Sequence, residues 1–275
     1  MKALKGRTAV VTGAASGLGR AMALAFAREG MDLAMADVDV ESLKNVFSEV
    51  ETIGVHCFSM KVDVSNESEV RAFADRVEDP FLVCNNAGVS PLGAVWENTA
   101  ADWQWILGVN LWGVIHGVRA FAPRLIARNA GHIVNTASVA GLISPPGSGA
   151  YNVTKHAVVA LSESLLHDLR ERNSQVGVSV LCPAYVPTGI SDSERNRPVE
   201  FGVSTKSKET LAKEANLKKA VSSGRLSADD VAQAVVAAVK QDRFYILTHP
   251  RIKGAIRARM EDILEERAPR DPLKL

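Results

Sequence analysis

Tyr151 and Lys155 stand in the pattern Tyr-x-x-x-Lys. That spacing stacks two side chains on one face of a helix. A free phenol titrates near 10, too high for a base at neutral pH. An ammonium about 4 Å away, at an effective dielectric near 20, is worth about 4 kcal/mol. By that arithmetic the phenol falls by about three pH units, to where acid–base catalysis works best. The same pattern also arises as a surface ion pair, so position matters. Ser138 follows the apolar run Ile133-Val134-Asn135-Thr136, which places its hydroxyl at the carboxyl edge of a sheet. Ligands bind at that edge in open parallel sheets, and a hydroxyl there can donate to a substrate oxygen.

A second cluster lies near the start of the chain: Thr12-Gly13-Ala14-Ala15-Ser16-Gly17-Leu18-Gly19. It sits between a short β-branched run and an amphipathic stretch. Glycine there permits a tight turn and close backbone approach to a ligand. The helix N-terminus beyond it suits a pyrophosphate. The spacing is G-x-x-x-G-x-G, and glycines at such a turn are also often structural. The second apolar run ends at Ala36-Asp37. A carboxylate at that place can accept hydrogen bonds from an adenosine ribose and would repel a 2′-phosphate. No Arg or Lys adjoins Asp37 in sequence, which favours NAD over NADP. Asp37 could also be a plain strand-end or capping residue, with Asp39 beside it.

These groups need a scaffold. Apolar runs at Ala9–Val11, Leu33–Ala36, Val55–Val62, Phe81–Cys84, Ile133–Val134, Val176–Leu181 and Phe244–Leu247 predict seven strands. Helix-like segments lie between them, at roughly 17–29, 40–52, 66–77, 99–128, 150–172 and 227–240. The runs alternate little, as in strands covered on both faces. Strand–helix alternation predicts an α/β, doubly wound parallel sheet, a Rossmann fold with helices on both faces. No linker divides the chain, so residues 1–275 are expected to form a single domain. Residues 188–225 break the rhythm with lysines set among acids. Leu211, Ala215 and Leu217 suggest a short helix inside, either in a lid over the site or in a solvated excursion.

Composition narrows the class. The chain has 275 residues, 47% hydrophobic and 23% charged, with a formal net charge of +1. That is ordinary globular usage, with no basic excess for nucleic acid. The three cysteines, Cys57, Cys84 and Cys182, are far apart and form no CxxC, which fits a reducing compartment. No apolar run is long enough to span a bilayer. The weakly basic start, Met1 to Lys5, is followed too soon by Thr12 and Gly13 for a signal peptide. The expected location is cytoplasmic. The six His form no HExxH or Cys/His spacing, so no metal is expected.

Taken together, the motifs resemble those of the short-chain dehydrogenase/reductase family, in its branch of about 250 residues. The similarity runs from about Gly6 to Leu247. It rests on Thr12-Gly13-x-x-x-Gly17-x-Gly19, Asp63-Val64, Asn85-Asn86-Ala87-Gly88, Asn110, Ser138, Tyr151-x-x-x-Lys155, and Pro183 with Thr188. The resemblance implies Tyr151 as general acid/base and Lys155 as ligand of the nicotinamide ribose. It implies Ser138 as holder of the substrate oxygen, and Asn110 as support for a water linking Lys155 to solvent. Gly13, Ser16, Gly17, Leu18 and Gly19 would cradle the cofactor phosphates. Asp37 would set NAD preference, and Asp63 and Val64 would flank the adenine. Asn86, Ala87 and Gly88 would line the floor, with Pro183, Val186 and Thr188 near the carboxamide. Ile143 and Tyr185 would join Ser138 and Tyr151 in the substrate pocket, with Leu142, Pro145, Ser148 and parts of 189–222 as further candidates. Family members are usually dimers or tetramers, so a homodimer or homotetramer is expected, with a small-molecule substrate and neither nucleic acid nor membrane as partner.

The chain departs from the family pattern in three places. Pro183-Ala184-Tyr185 replaces the common Pro-Gly; the stretch from Asp63 to Asn85 is short; and a tail continues from Thr248 to Leu275. A helical stripe of Ile252, Ile256, Met260, Ile263 and Leu264 predicts a C-terminal helical extension over 250–275, packed on the body or on a neighbouring subunit. All four Trp, at 96, 103, 105 and 112, fall in one region, which suits core or interface packing more than ring binding. Three functions follow. The first is hydride transfer between NAD and a secondary alcohol or ketone, with a hydrophobic or aromatic substrate. The second is an NADP-dependent carbonyl reductase. The third, of a different class, is a non-catalytic nucleotide-binding redox sensor.

Overall fold

The computed structural model describes residues 2–202 and 206–274. Residues 203–205 of the 188–225 segment and the two terminal residues lie outside that set. Seven parallel strands form one sheet: β1 (Thr8–Thr12), β2 (Asp32–Asp37), β3 (Cys57–Lys61), β4 (Pro80–Asn85), β5 (His132–Thr136), β6 (Gly177–Leu181) and β7 (Tyr245–Ile246). Their spatial order is β3-β2-β1-β4-β5-β6-β7. The chain builds outward from β1 to β3, then returns to start the other half at β4. Strand order therefore reverses between β1 and β4, which opens a crevice at their carboxyl ends.

The helices are α1 (Gly17–Arg28), α2 (Val40–Glu51), α3 (Glu67–Asp75), α4 (Ala100–Leu107), α5 (Gly113–Arg128), α6 (Gly149–Glu171), α7 (Lys208–Ser222), α8 (Ala228–Lys240) and α9 (Ile252–Leu264). The period of two along β1 sorts its side chains. Ala9 and Val11 join Phe26 of α1 and Val235 of α8 in one core layer, whereas Val10 joins Phe73 of α3 and Phe121 of α5 in the other. Both faces are thus covered, which is why the strands read as unbroken apolar runs. Phe26, Phe73 and Phe121 are fully enclosed. Burial of each such side chain is worth about 1.5–3 kcal/mol.

The expected continuous helix over 99–128 is interrupted. Residues 108–112 form a π turn between α4 and α5. Such turns insert an extra residue and swing side chains out of register; here Asn110 is carried fully into the interior. The 188–225 segment holds short 3-10 turns and then α7, which takes in Leu211, Ala215 and Leu217. The tail forms α9 and folds back, Arg270 donating to the Asp262 carboxylate and to the Ala258 carbonyl. Among the described residues, no helix is long and apolar enough to cross a membrane.

Candidate functional site

The crevice between β1 and β4 opens into one cavity of about 760 Å3. Its floor at one end is the turn after β1. Gly13 sits at φ +66°, and a Cβ there would meet the Ala87 Cα at 2.7 Å. A side chain on Gly19 would collide with the Gly13 carbonyl. The two glycines let the β1 turn, the first turn of α1 and the Asn86–Ala87 loop close-pack. Thr12 ties these pieces together: its hydroxyl accepts from the backbone N–H groups of Asn86, at 3.0 Å, and Ala87, at 3.2 Å. Ser16 caps α1, but its hydroxyl makes no capping hydrogen bond, and no acid lies in the first turn. The positive end of that helix dipole therefore faces the cavity without an internal counter-charge.

Asp37, at the end of β2, lines the cavity wall beyond this turn. Its carboxylate accepts from the Ala15 N–H at 2.9 Å and from the Asp39 N–H at 3.0 Å. Burial pushes its pKa up, against the pull of these bonds. The sheet register adds a neighbour that sequence adjacency did not show: Lys61 pairs opposite Asp37 on β3 and also lines the cavity. Asp63 is shaped by its own turn, its carboxylate accepting from the Ser65 N–H at 2.9 Å.

The other end of the cavity is walled by α6. Tyr151 and Lys155 share a helix face, with the Lys155 Nζ 5.5 Å from the Tyr151 ring centroid. Lys155 is 3% exposed, and its Nζ donates to the Thr136 carbonyl at 2.9 Å. Ser138 hydrogen-bonds the Tyr151 phenol, and its Oγ also accepts from the Ala140 N–H at 3.1 Å. The expected lowering of the phenol does not emerge. Burial pushes Tyr151 up to about 12, the Ser138 bond recovering part of the rise. Burial likewise pushes Lys155 down to about 8. Desolvation outweighs the Ser138 hydrogen bond, and the ammonium stands 5.5 Å from the ring centroid.

Of the residues expected at the site, Gly13, Ser16, Gly17, Leu18, Asp37, Asp63, Val64, Asn86, Ala87, Gly88, Ser138, Tyr151, Lys155, Pro183, Val186 and Thr188 all line this one cavity. Gly19 lies beneath it and Asn110 behind it. The Asn110 amide accepts from the Val89 N–H at 2.8 Å and donates to the Val89 carbonyl at 2.9 Å. Its side chain thus fastens the loop that carries Gly88, and its Nδ2 also donates to the Thr154 hydroxyl at 3.3 Å, beside Lys155. Ile143 and Tyr185 are not among the lining residues. Ile143 is 3% exposed, packed beneath the surface, while Tyr185 is 41% exposed. Leu142, Pro145 and Ser148 are also off the wall.

From the 189–222 stretch, Ile190, Ser193, Arg197, Pro198 and Val221 line the wall as expected, and Trp105 and Val109 join them. Trp105 comes from α4; most of the rest come from the 188–225 segment. That segment is fastened to the body. Arg197 pairs with Asp102 at 2.7 Å, both nearly enclosed, and its guanidinium lies 5.1 Å from the centre of the Trp105 ring. Asp102 also closes a capping box with Thr99 at the start of α4. The Ser193 hydroxyl accepts from the Ser90 N–H at 2.9 Å. A Trp inside an apolar helix and an Arg in a polar segment carry no local sign that they meet; only their pairing in space reveals a pocket wall.

The family model for short chain dehydrogenases matches residues 7–198. The chain belongs to that family. It is 31% identical to a CLA biosynthesis dehydrogenase/reductase from Lactiplantibacillus plantarum, covering 98% of this chain and 97% of that one. The fold matches the crystal structure of a short-chain dehydrogenase/reductase from Burkholderia phymatum in complex with NAD, at 49% identity and a TM-score of 0.97 over all of both chains. It also matches an alcohol dehydrogenase from the archaeon Thermococcus sibiricus complexed with 5-hydroxy-NADP, at 29% identity and a TM-score of 0.69 over 85% of this chain and 90% of that one. The fold, order of elements and family expected from the sequence agree with these findings.

Proposed function

We propose that this short-chain dehydrogenase transfers a hydride between NAD and the carbon of a neutral secondary alcohol or ketone, hydrophobic or aromatic in character. One observation carries the reading. Tyr151, Lys155 and Ser138 converge on a cavity whose far end is a glycine cradle at a helix N-terminus. That cradle fits a dinucleotide, since Gly13 and Gly17 line it without side chains and the Ser16 hydroxyl is unused in capping. When bound, the cofactor supplies the hydride chemistry.

The chain's own residues handle the proton. With its pKa near 12, Tyr151 keeps its proton at neutral pH. It is then an acid poised to donate to a carbonyl oxygen that Ser138 also meets, which favours ketone reduction. Oxidation needs the phenolate, so its rate rises with pH. Lys155, fixed by the Thr136 carbonyl, stands beside the ring to bind ribose hydroxyls. On the substrate side the buried Arg197 is matched by Asp102, and Lys206 and Lys218 are paired with Glu214 and Asp192. A wall with Trp105, Val109, Pro198 and Val221 and a neutralised cation favours an uncharged ligand over an acidic one.

Following NADH absorbance across a panel of alcohols and ketones tests the reading. Turnover with at least one apolar ketone is expected. Tight NADH binding with no turnover on any of them would instead favour a non-catalytic nucleotide sensor.

Use of NADP is the second reading, favoured by Lys61 opposite Asp37. The Asp37 carboxylate, held at the ribose corner by two backbone N–H groups, supports NAD. Initial rates with the two cofactors decide between them. We also propose a homodimer or homotetramer assembled through α5 and α6, near which Trp112 and Val153 stand half exposed. Sedimentation velocity of the purified protein checks it.

A further inference from the structure

The 188–225 segment brings a second arginine to the cavity. Arg195 lines it together with Gly17, Leu18, Asp37 and Val38, the residues of the glycine turn and the ribose corner. Its place is fixed by its own turn. Nη1 donates to the carbonyls of Gly189, at 2.8 Å, and Asp192, at 3.0 Å. A Cβ on Gly189 would lie 3.2 Å from Nη2, so the guanidinium lies flat against that glycine. Gly189 follows Thr188 directly, and Thr188 rests on the first residue of α1: a Cβ on Gly17 would meet it at 3.1 Å. The guanidinium is therefore tethered beside the helix N-terminus already read as the phosphate end of the cavity. It also acts on the ribose corner. The Asp39 carboxyl is held below its usual range first by the Ser42 hydroxyl and N–H, with the Arg195 charge adding to them.

We propose that Arg195 binds a phosphate group of the dinucleotide, closing from the segment side a site whose other side is the N-terminus of α1. The inference rests on the dinucleotide reading above. A guanidinium offers five N–H donors in a planar fork, and only Nη1 is committed to the two carbonyls. Its remaining donors match phosphate oxygens in a charge-assisted geometry. The backbone N–H groups of α1 and the arginine then share one anion between two elements far apart in sequence. Two phosphates meet this chemistry: the pyrophosphate that both nicotinamide dinucleotides carry, and the 2′-phosphate of NADP. The neighbouring Asp37 and Asp39 carboxylates favour the pyrophosphate.

Calorimetric titration of the full-length protein with ADP-ribose, which carries only the pyrophosphate, and with 2′-AMP, which carries only the 2′-phosphate, tests this. Arg195→Met is expected to weaken ADP-ribose binding about tenfold or more, the usual scale for losing a hydrogen bond to a charged group. Its affinity should also fall less steeply with added salt than that of the unmodified protein. Arg195→Lys should recover part of the loss. A loss confined to 2′-AMP also supports a phosphate ligand and identifies it as the 2′ group. Unchanged affinity for both probes in Arg195→Met would overturn the proposal. So would a loss accompanied by a lowered melting temperature without ligand that Arg195→Lys does not repair, since that marks a structural role. If the unmodified protein binds neither probe, the dinucleotide reading itself fails and this inference falls with it.

Discussion

The two ends of the sheet each bury a titratable side chain, and they treat it differently. At the amino end, His132 of β5 is fully enclosed. Its Nε2 donates to the Ser179 hydroxyl at 2.7 Å, because that hydroxyl itself donates to the Arg243 carbonyl. Its Nδ1 accepts from the Lys2 ammonium at 2.9 Å. Every polar atom of the ring has a partner within the chain, and Lys2 reaches Asp242 beyond it at 2.5 Å. At the carboxyl end, Lys155 and Tyr151 are also surrounded by protein, yet they face a cavity. Burial there pushes the phenol up and the ammonium down. A closed network makes structure, whereas an open one leaves ionisation to be set by what enters.

The sharpest way to break this contrast is Tyr151→Phe. Turnover should fall by about 10²–10⁴, the range for losing a general acid, while the melting temperature stays unchanged. A large loss of stability would mean that the carboxyl end is structural as well. Asp102→Ala comes next. It removes the enclosed partner of the buried Arg197 guanidinium and leaves it only the more distant Glu194 carboxylate, at 3.5 Å, at a cost of up to about 3–5 kcal/mol. Thermal unfolding should show that loss, and KM for substrate should rise more than KM for cofactor if Arg197 sits on the wall proposed for the substrate.

His132→Ala probes the other end. It should lower stability by about 1–3 kcal/mol at neutral pH, by removing the ring's hydrogen bonds to Ser179 and Lys2, and leave kcat intact. The sign of its pH effect follows from burial, which lowers the His132 pKa. Below about pH 6.5 the unfolded chain takes up a proton that the native state resists, so native stability falls as acid is added. Denaturant midpoints measured from pH 7 to pH 5 should slope for the parent and flatten for the variant. The smallest effect is expected from Asp37→Ala. Its NAD-to-NADP ratio of kcat/KM should shift toward NADP by about tenfold, the factor that 1.4 kcal/mol represents.

Much of this was legible in the chain because it is local. Strand runs, helix periods and the glycine turn follow from neighbouring residues, and the Tyr151–Lys155 face follows from helical geometry alone. The one misplaced helix boundary, the π turn at 108–112, arises where Asn110 must reach the Val89 backbone, a contact across the fold. Part of the cavity wall was illegible for the same reason. Ile143 and Tyr185 are near Ser138 and Pro183 in sequence but not on the cavity, while Trp105 and Arg197 are far apart in sequence and adjacent on it.

By itself, then, the order of residues determined the sheet, its family and the helix face that Tyr151 and Lys155 share, since each depends on periodicity and short spacing. The tertiary structure alone decided which side chains wall the cavity, which arginine lies beside the N-terminus of α1, and which way burial moves Tyr151 and Lys155. Those depend on desolvation and on charges brought together from distant segments, and neither quantity exists until the chain has folded.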